Sequence, residues 1–140
     1  MTYLLDTDIC IFFLKNRFSI EEKIKSVGIS NCFISEITII ELMYGAKKSE
    51  NYERHANDVN SIQKLFQVIP ISTCHEIFVK EKYRLQKHGL LIPDFDLLIA
   101  ATALSNAHCL VSNNEKHLKR VKNIALENWT KPEYNFFLSL

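Results

Sequence analysis

From Leu97 to Leu104 the chain reads Leu-Leu-Ile-Ala-Ala-Thr-Ala-Leu, an almost unbroken apolar run. A helix that is apolar all round has to be buried on most sides, so other layers of structure must surround it. Pro93 stops whatever comes before, because the residue ahead of a proline avoids helical angles. Asp94 and Asp96 therefore stand at the mouth of this helix, where a carboxylate can cap free backbone N–H groups. Capping explains one such acid taken alone. The remainder of the chain decides whether it explains both.

Short apolar runs alternate with helical patterns along the rest of the sequence. Tyr3–Leu5, Asn31–Ile34, Val68–Ile71 and His108–Val111 read as strands, and Ile124–Leu126 as a further edge strand. Pro70 assigns the third of these to a strand end or a sheet edge. Helices are expected over Ile9–Leu14 with Asp8 or Thr7 as cap, over Phe18–Val27, and over Ile37–Tyr44 with Gly45 closing the end. Tyr52–Phe66 gives a longer helix, Ser72 or Thr73 caps one running to about Lys87, and a short one follows Ser112 through Val121. Strands alternating with helices imply right-handed crossovers. The fold expected is a three-layer α/β/α sandwich with a central, mainly parallel sheet of four to five strands. Residues 1–140 are read as a single domain, and the apolar Phe136-Phe-Leu tail is expected to dock on it.

Composition narrows the partners. Lys and Arg total 17 against 16 acids, a net charge of +1, so nucleic-acid contact has to rest on a local basic patch. Cys10, Cys32, Cys74 and Cys109 are widely spaced in apolar surroundings with no Cys-x-x-Cys pair, which points to buried reduced thiols rather than zinc. Asp6 and Asp8 interrupt the N-terminus too early for a signal peptide, and no apolar run approaches the roughly 20 residues that span a bilayer. A cytoplasmic protein is expected.

An acid or amide follows each core strand closely. Asp6 and Asp8 follow the first, Glu41 lies in the helix after the second, and Asn113, Asn114 and Glu115 follow the strand ending at Val111. In open α/β sheets ligands bind outside the carboxyl ends of the strands. Local explanations exist: Thr38-Ile-Ile-Glu41 and Ser112-Asn-Asn-Glu115 both match the capping box. Asp6 is less easily dismissed, since one cap suffices for one helix. Glu41, flanked by Ile39, Ile40, Leu42 and Met43, is expected to be buried, and a lone buried acid is costly. Were Asp6, Glu41 and Asp96 to converge, two carboxylates about 4 Å apart would repel by roughly 4 kcal/mol at an effective dielectric near 20. Protonation or a cation would have to relieve that. An all-oxygen donor set suits Mg²⁺ or Mn²⁺.

Four blocks carry a family resemblance: Leu4-Leu-Asp-Thr-Asp-Ile9, Ile34-Ser-Glu-Ile-Thr-Ile-Ile-Glu-Leu-Met-Tyr-Gly45, Phe95-Asp-Leu-Leu-Ile-Ala-Ala-Thr-Ala103 and Leu110-Val-Ser-Asn-Asn114, with a closing Glu127-Asn-Trp129. In order and spacing they resemble the PIN domain, and within it the VapC-type toxin nucleases of toxin–antitoxin modules. The resemblance implies that Asp6, Glu41 and Asp96 bind metal and that Thr7, Ser35 and Ser112 line the site. The fourth acid of many family members falls at Asn114, and Asp94 or Glu115 are the acids nearby that could replace it. His117-Leu118 stand where an aromatic often follows, read as a packing difference.

The activity implied is Mg²⁺- or Mn²⁺-dependent endoribonuclease cleavage of a structured RNA, with tRNA favoured, to inhibit translation. An antitoxin partner and homodimerisation are implied too, the latter through the apolar first and second helices. Substrate contacts are assigned to Lys47, Lys48 and Arg54 and to Lys116, Lys119, Arg120 and Lys122, each of which could equally be a solvated helix face. Tyr44 and Phe95 are candidates for base stacking. Two alternatives accompany this reading. Leu4-Leu-Asp-Thr-Asp8 also resembles the Asp-x-Asp motif of haloacid dehalogenase-type phosphatases, although that reading needs paired acids at a strand end. A catalytically silent binding module is the other.

Overall fold

The computed structural model of the chain describes residues 1–132, so the Phe136-Phe-Leu tail lies outside the described residues. Among the described residues five parallel strands form one sheet: β1 (Tyr3–Leu5), β2 (Cys32–Ser35), β3 (Gln67–Ile69), β4 (Cys109–Val111) and β5 (Leu126–Glu127). Their spatial order is β3-β2-β1-β4-β5, with β3 at one edge, as Pro70 required. Chain order runs outward from β1 through β2 to β3, then returns to the other side of β1 at β4. The direction of winding thus reverses between β1 and β4, where such sheets open a crevice at the strand ends.

Successive side chains of a strand point to opposite faces, and the sheet is covered on both. Leu5, Ile34 and Val111 join one core with Ile9, Ile20, Ile24, Ile39, Leu42 and Ile62. These come from α1 (Thr7–Leu14), α2 (Ile20–Val27), α3 (Glu36–Lys48) and α4 (Tyr52–Leu65). Leu4 and Leu110, one residue away in register, enter the second core with Leu85, Leu97, Ile99, Ala100 and Ala103. That core is built on α5 (His75–Lys87) and α6 (Asp94–Ser105), with Leu118 of the short α7 (Glu115–Leu118). The apolar run that demanded burial on most sides is α6: Leu97 and Ile99 to Ala103 are all buried. The three-layer sandwich is as expected.

Several local expectations fail for physical reasons. Asp6, not Thr7 or Asp8, caps α1, its side chain accepting from the Thr7 N–H. Gly45 does not close α3, which continues to Lys48, because Ala46 is buried in the core beyond it. Neither Ser72 nor Thr73 caps α5. Residues Ile71–Thr73 form a 3-10 turn and Cys74 holds the cap position. Neither capping box forms: Thr38 and Glu41 lie inside α3, and the α7 cap position is Asn114 with no side-chain hydrogen bond. All four cysteines are buried and free, and burial pushes Cys32 and Cys109 up to about 12.

Candidate active site

The carboxyl ends of β1 and β4 meet at a short hydrogen-bonded chain. Asp6, directly after β1, donates its backbone N–H to the Val111 carbonyl of β4 (2.9 Å). Its Oδ1 accepts from the Thr7 N–H (2.8 Å) and its Oδ2 from the Ser112 hydroxyl (2.7 Å). Ser112 Oγ in turn accepts from the Asn114 N–H (2.9 Å), and Asn114 Nδ2 donates to Asp96 Oδ2 (3.2 Å). On the other side Thr7 Oγ1 donates to Glu41 Oε1 (2.6 Å) and lies 3.0 Å from Thr38 Oγ1. Glu41, Thr7, Asp6, Ser112, Asn114 and Asp96 are therefore linked in sequence by hydrogen bonds and one peptide unit.

Each acid is delivered by a helix start. Asp6 caps α1, Asp96 sits in the first turn of α6, and Glu41 lies in the second turn of α3, whose cap is Ser35. Helix N-termini carry partial positive charge, which favours anionic groups there. Ser35 is fully buried and its hydroxyl accepts from the Ile37 N–H (3.0 Å), so it shapes the α3 entry. Glu41 is less buried than its apolar neighbours implied. One wall of α3 faces outward, with Ile40 49% and Met43 57% exposed, and Glu41 itself is half-buried.

Burial dominates the electrostatics. Asp6 is pushed up to about 7, first by loss of hydration, then by the Asp8 carboxylate, with Ser112 and Thr7 pulling the other way and Asp96 adding a smaller push. Burial likewise raises Asp8, and it raises Asp96 against the opposing pull of His117 and Asn114. Of the repulsion expected among Asp6, Glu41 and Asp96, only the push from Asp96 acts on Asp6, and it is smaller than that of desolvation and of Asp8. His117 Nδ1 lies 3.9 Å from Asp96 Oδ2 and forms an ion pair with it only when the imidazole is protonated.

The other sequence candidates divide. Asp94 does not join the cluster: it pairs with Lys82 of α5 (3.0 Å) at the surface. Glu115 also faces elsewhere, accepting from Asn128 Nδ2 (3.0 Å) and pairing with Lys131 (2.8 Å). His117, read as a packing difference, instead borders Asp96, and nothing in the local sequence announced that. Thr38, seen only as half of a capping box, reaches Thr7. Lys47, Lys48, Arg54, Lys116 and Lys119 are exposed, with Lys48 over the Tyr44 ring (4.6 Å) and Lys47 over Tyr52 (5.6 Å). Arg120 is engaged by the Leu91 carbonyl (3.2 Å), and the backbone of Lys122 donates to Glu81. Tyr44 is 64% and Phe95 44% exposed.

Donor chemistry at this end of the sheet fits a hard divalent cation: several carboxylates with the Thr7 and Ser112 hydroxyls, and no thiolate. Asp8 adds a physical sign of the same kind, since its Oδ1 is buried with no hydrogen-bond partner. Among the described residues, however, no group of three or more His, Cys, Asp and Glu side chains is gathered tightly enough to hold a metal ion as it stands.

A family model described as the PIN domain matches residues 3–124. Ribonuclease VapC2 of Rickettsia felis is 34% identical over 134 residues, covering 94% of this chain and 100% of the relative. The tRNA(fMet)-specific endonuclease VapC of Shigella flexneri is 30% identical over 132 residues, covering 93% and 99%. Among solved structures, VapBC2 from Rickettsia felis bound to a DNA fragment from their promoter superposes with a TM-score of 0.85 at 32% identity, covering 92% of this chain and 99% of that one. The chain belongs to the PIN domain family, in the branch of its VapC ribonucleases.

Proposed function

We propose that this protein is the endoribonuclease toxin of a toxin–antitoxin pair, acting in the cytoplasm as one domain over residues 1–140. It hydrolyses phosphodiester bonds in a structured RNA, with tRNA the favoured class, and so inhibits translation. The observation that carries the reading is the hydrogen-bonded chain from Glu41 through Thr7, Asp6, Ser112 and Asn114 to Asp96. It brings three acids, remote in sequence, to the switch point of the sheet. Ribonuclease names among the relatives, tRNA(fMet)-specific endonuclease among them, support the same reaction.

Asp6, Asp96 and Glu41 are the groups that would hold Mg²⁺ or Mn²⁺. When bound, such an ion polarises a phosphoryl oxygen and makes water a stronger nucleophile. The chain's own residues prepare that chemistry. Ser112 and Thr7 orient Asp6, yet each carboxylate oxygen keeps a lone pair beyond the bond it accepts. Asn114 fixes Asp96 in the same way. Glu41, half-buried and accepting from Thr7, serves as a further ligand or as the base toward water. Exposed Lys47, Lys48, Arg54, Lys116 and Lys119 supply phosphate contacts, whereas Arg120 is occupied with backbone carbonyls and contributes less.

An antitoxin is the protein partner, in keeping with the VapBC complexes among the structural neighbours. Homodimerisation belongs to the same reading, with Ile11 of α1 and Phe18 before α2 the exposed apolar side chains on that side. No helix among the described residues is long and apolar enough to cross a membrane.

Incubating the protein with a tRNA pool in Mg²⁺ and in EDTA tests the proposal. Discrete cleavage in Mg²⁺, lost in EDTA and restored by Mn²⁺, is the expected result. Binding of RNA without cleavage in either metal identifies a silent binding module, and hydrolysis of small phosphomonoesters alone identifies a phosphatase.

A further inference from the structure

Asp8 reads from the sequence as a possible helix cap, but Asp6 takes that role and leaves Asp8 within the first turn of α1. There its two oxygens have unequal surroundings. Oδ2 accepts from the Asn113 N–H (3.0 Å), which anchors the segment carrying Ser112 and Asn114. Oδ1 is sealed from solvent and is the one buried side-chain oxygen or nitrogen without a hydrogen-bond partner among the described residues. A buried carboxylate oxygen outside hydrogen-bond geometry is costly, and the helix N-terminus, with the Ile9 N–H and the Ser112 hydroxyl that also act on the Asp8 carboxylate, offsets only part of that cost.

The neighbours sharpen the case. Asp8 is close enough to Asp6 and Asp96 for their charges to act on one another. Asp94 and Glu115, the acids that sequence offered in place of Asn114, are committed to Lys82 and to Asn128 and Lys131. Asp8 makes no ion pair among the described residues.

We propose that Asp8 supplies the fourth negative charge of the cation site, from the first turn of α1, in place of the charge absent at Asn114. Its Oδ2 holds the Asn113 backbone, while its Oδ1, buried without a hydrogen-bond partner, contributes its charge to the cation site. The inference rests on the metal-dependent reading above.

Asp8→Asn separates charge from shape, because the amide oxygen can still accept from the Asn113 N–H. Mn²⁺ affinity is measured without RNA, by electron paramagnetic resonance titration of the full chain. Asp8→Asn is expected to weaken Mn²⁺ binding tenfold or more, on the scale of changes in groups that support metal ligands. The double variant Asp8→Asn/Asn114→Asp, which moves the charge rather than removing it, is expected to recover most of the loss. Wild-type affinity in Asp8→Asn would overturn the proposal and leave the metal reading standing. Loss without recovery in the double variant would also overturn it, making Asp8 a bracket for Asn113 only. No Mn²⁺ binding by the wild type would overturn both.

Discussion

Asp96→Asn is expected to slow RNA cleavage by roughly a thousandfold while making the metal-free protein more stable. The first effect follows from removing one carboxylate of the proposed metal site. Metal stabilisation of the transition state is worth several kcal/mol, and roughly 4 kcal/mol corresponds to a factor of 10³. The second follows from burial, which disfavours the charged form of Asp96. An asparagine oxygen can keep the bond from Asn114 Nδ2 without the charge. His117 at 3.9 Å opposes part of that gain, since it favours the charged carboxylate when protonated. Cleavage rates in Mg²⁺ and melting temperatures in EDTA measure both effects. A variant that cleaves within tenfold of the wild type, or melts lower in EDTA, would count against the assignment. Mg²⁺ or Mn²⁺ should also raise the wild-type melting temperature more than that of the variant, because direct ligation is lost.

Metal-free protein should lose stability as pH rises between about 5 and 7.5, the reverse of what a salt-bridged carboxylate produces. Asp6 titrates near 7 in the fold against 3.8 for the free side chain. Between those values the folded state keeps a proton that the unfolded chain has released, so raising pH favours unfolding. The difference of about three units is worth roughly 4 kcal/mol as an upper figure, and the raised Asp8 and Asp96 act in the same direction. Glu81 acts oppositely. Its bond from Arg84 holds it below the usual range, so its contribution is present above about pH 4.5 and fades in more acidic solution. Above pH 5 that contribution is complete, but His108, whose charged form burial disfavours, opposes the aspartates at pH values below 6.5, so the Asp6→Asn comparison is what isolates Asp6. Denaturant titrations in EDTA from pH 5 to 8 should show the decline in the wild type and a flatter profile in Asp6→Asn. Saturating Mg²⁺ should reverse the slope, since the cation binds the deprotonated carboxylates. A wild-type stability that rises over this window, or an equal slope in Asp6→Asn, would contradict the account.

Much of this architecture is legible in the order of residues because the sheet is covered on both faces. Leu4 and Leu5 serve opposite cores, as do Leu110 and Val111, so the strands read as continuous apolar runs. Helix ends were less legible. Gly45 resembles a stop signal, but burial of Ala46 draws α3 past it, a tertiary contact that no local pattern contains. Among the acids, the limit was geometric. Asp94 and Asp96 are two residues apart within one helix and so face different ways, which sends Asp94 to Lys82. Asp6 and Asp8 have the same spacing, but Asp6 lies outside the helix as its cap, and both stay within electrostatic reach of Asp96. The exposed wall of α3 hides in a similar way: Ile40, Met43 and Tyr44 look like core in sequence and face outward in the fold. His117 carries no signal at all until α7 is placed against Asp96.

Everything in the mechanism depends on Asp6, Glu41 and Asp96 drawing around one divalent ion. Crystals grown or soaked in Mn²⁺, with anomalous data collected at the manganese edge, test this most directly. The account predicts one strong peak between the carboxylates of Asp6 and Asp96, within coordination reach of both. A map without a peak there, from protein that still cleaves RNA in Mn²⁺, would contradict it.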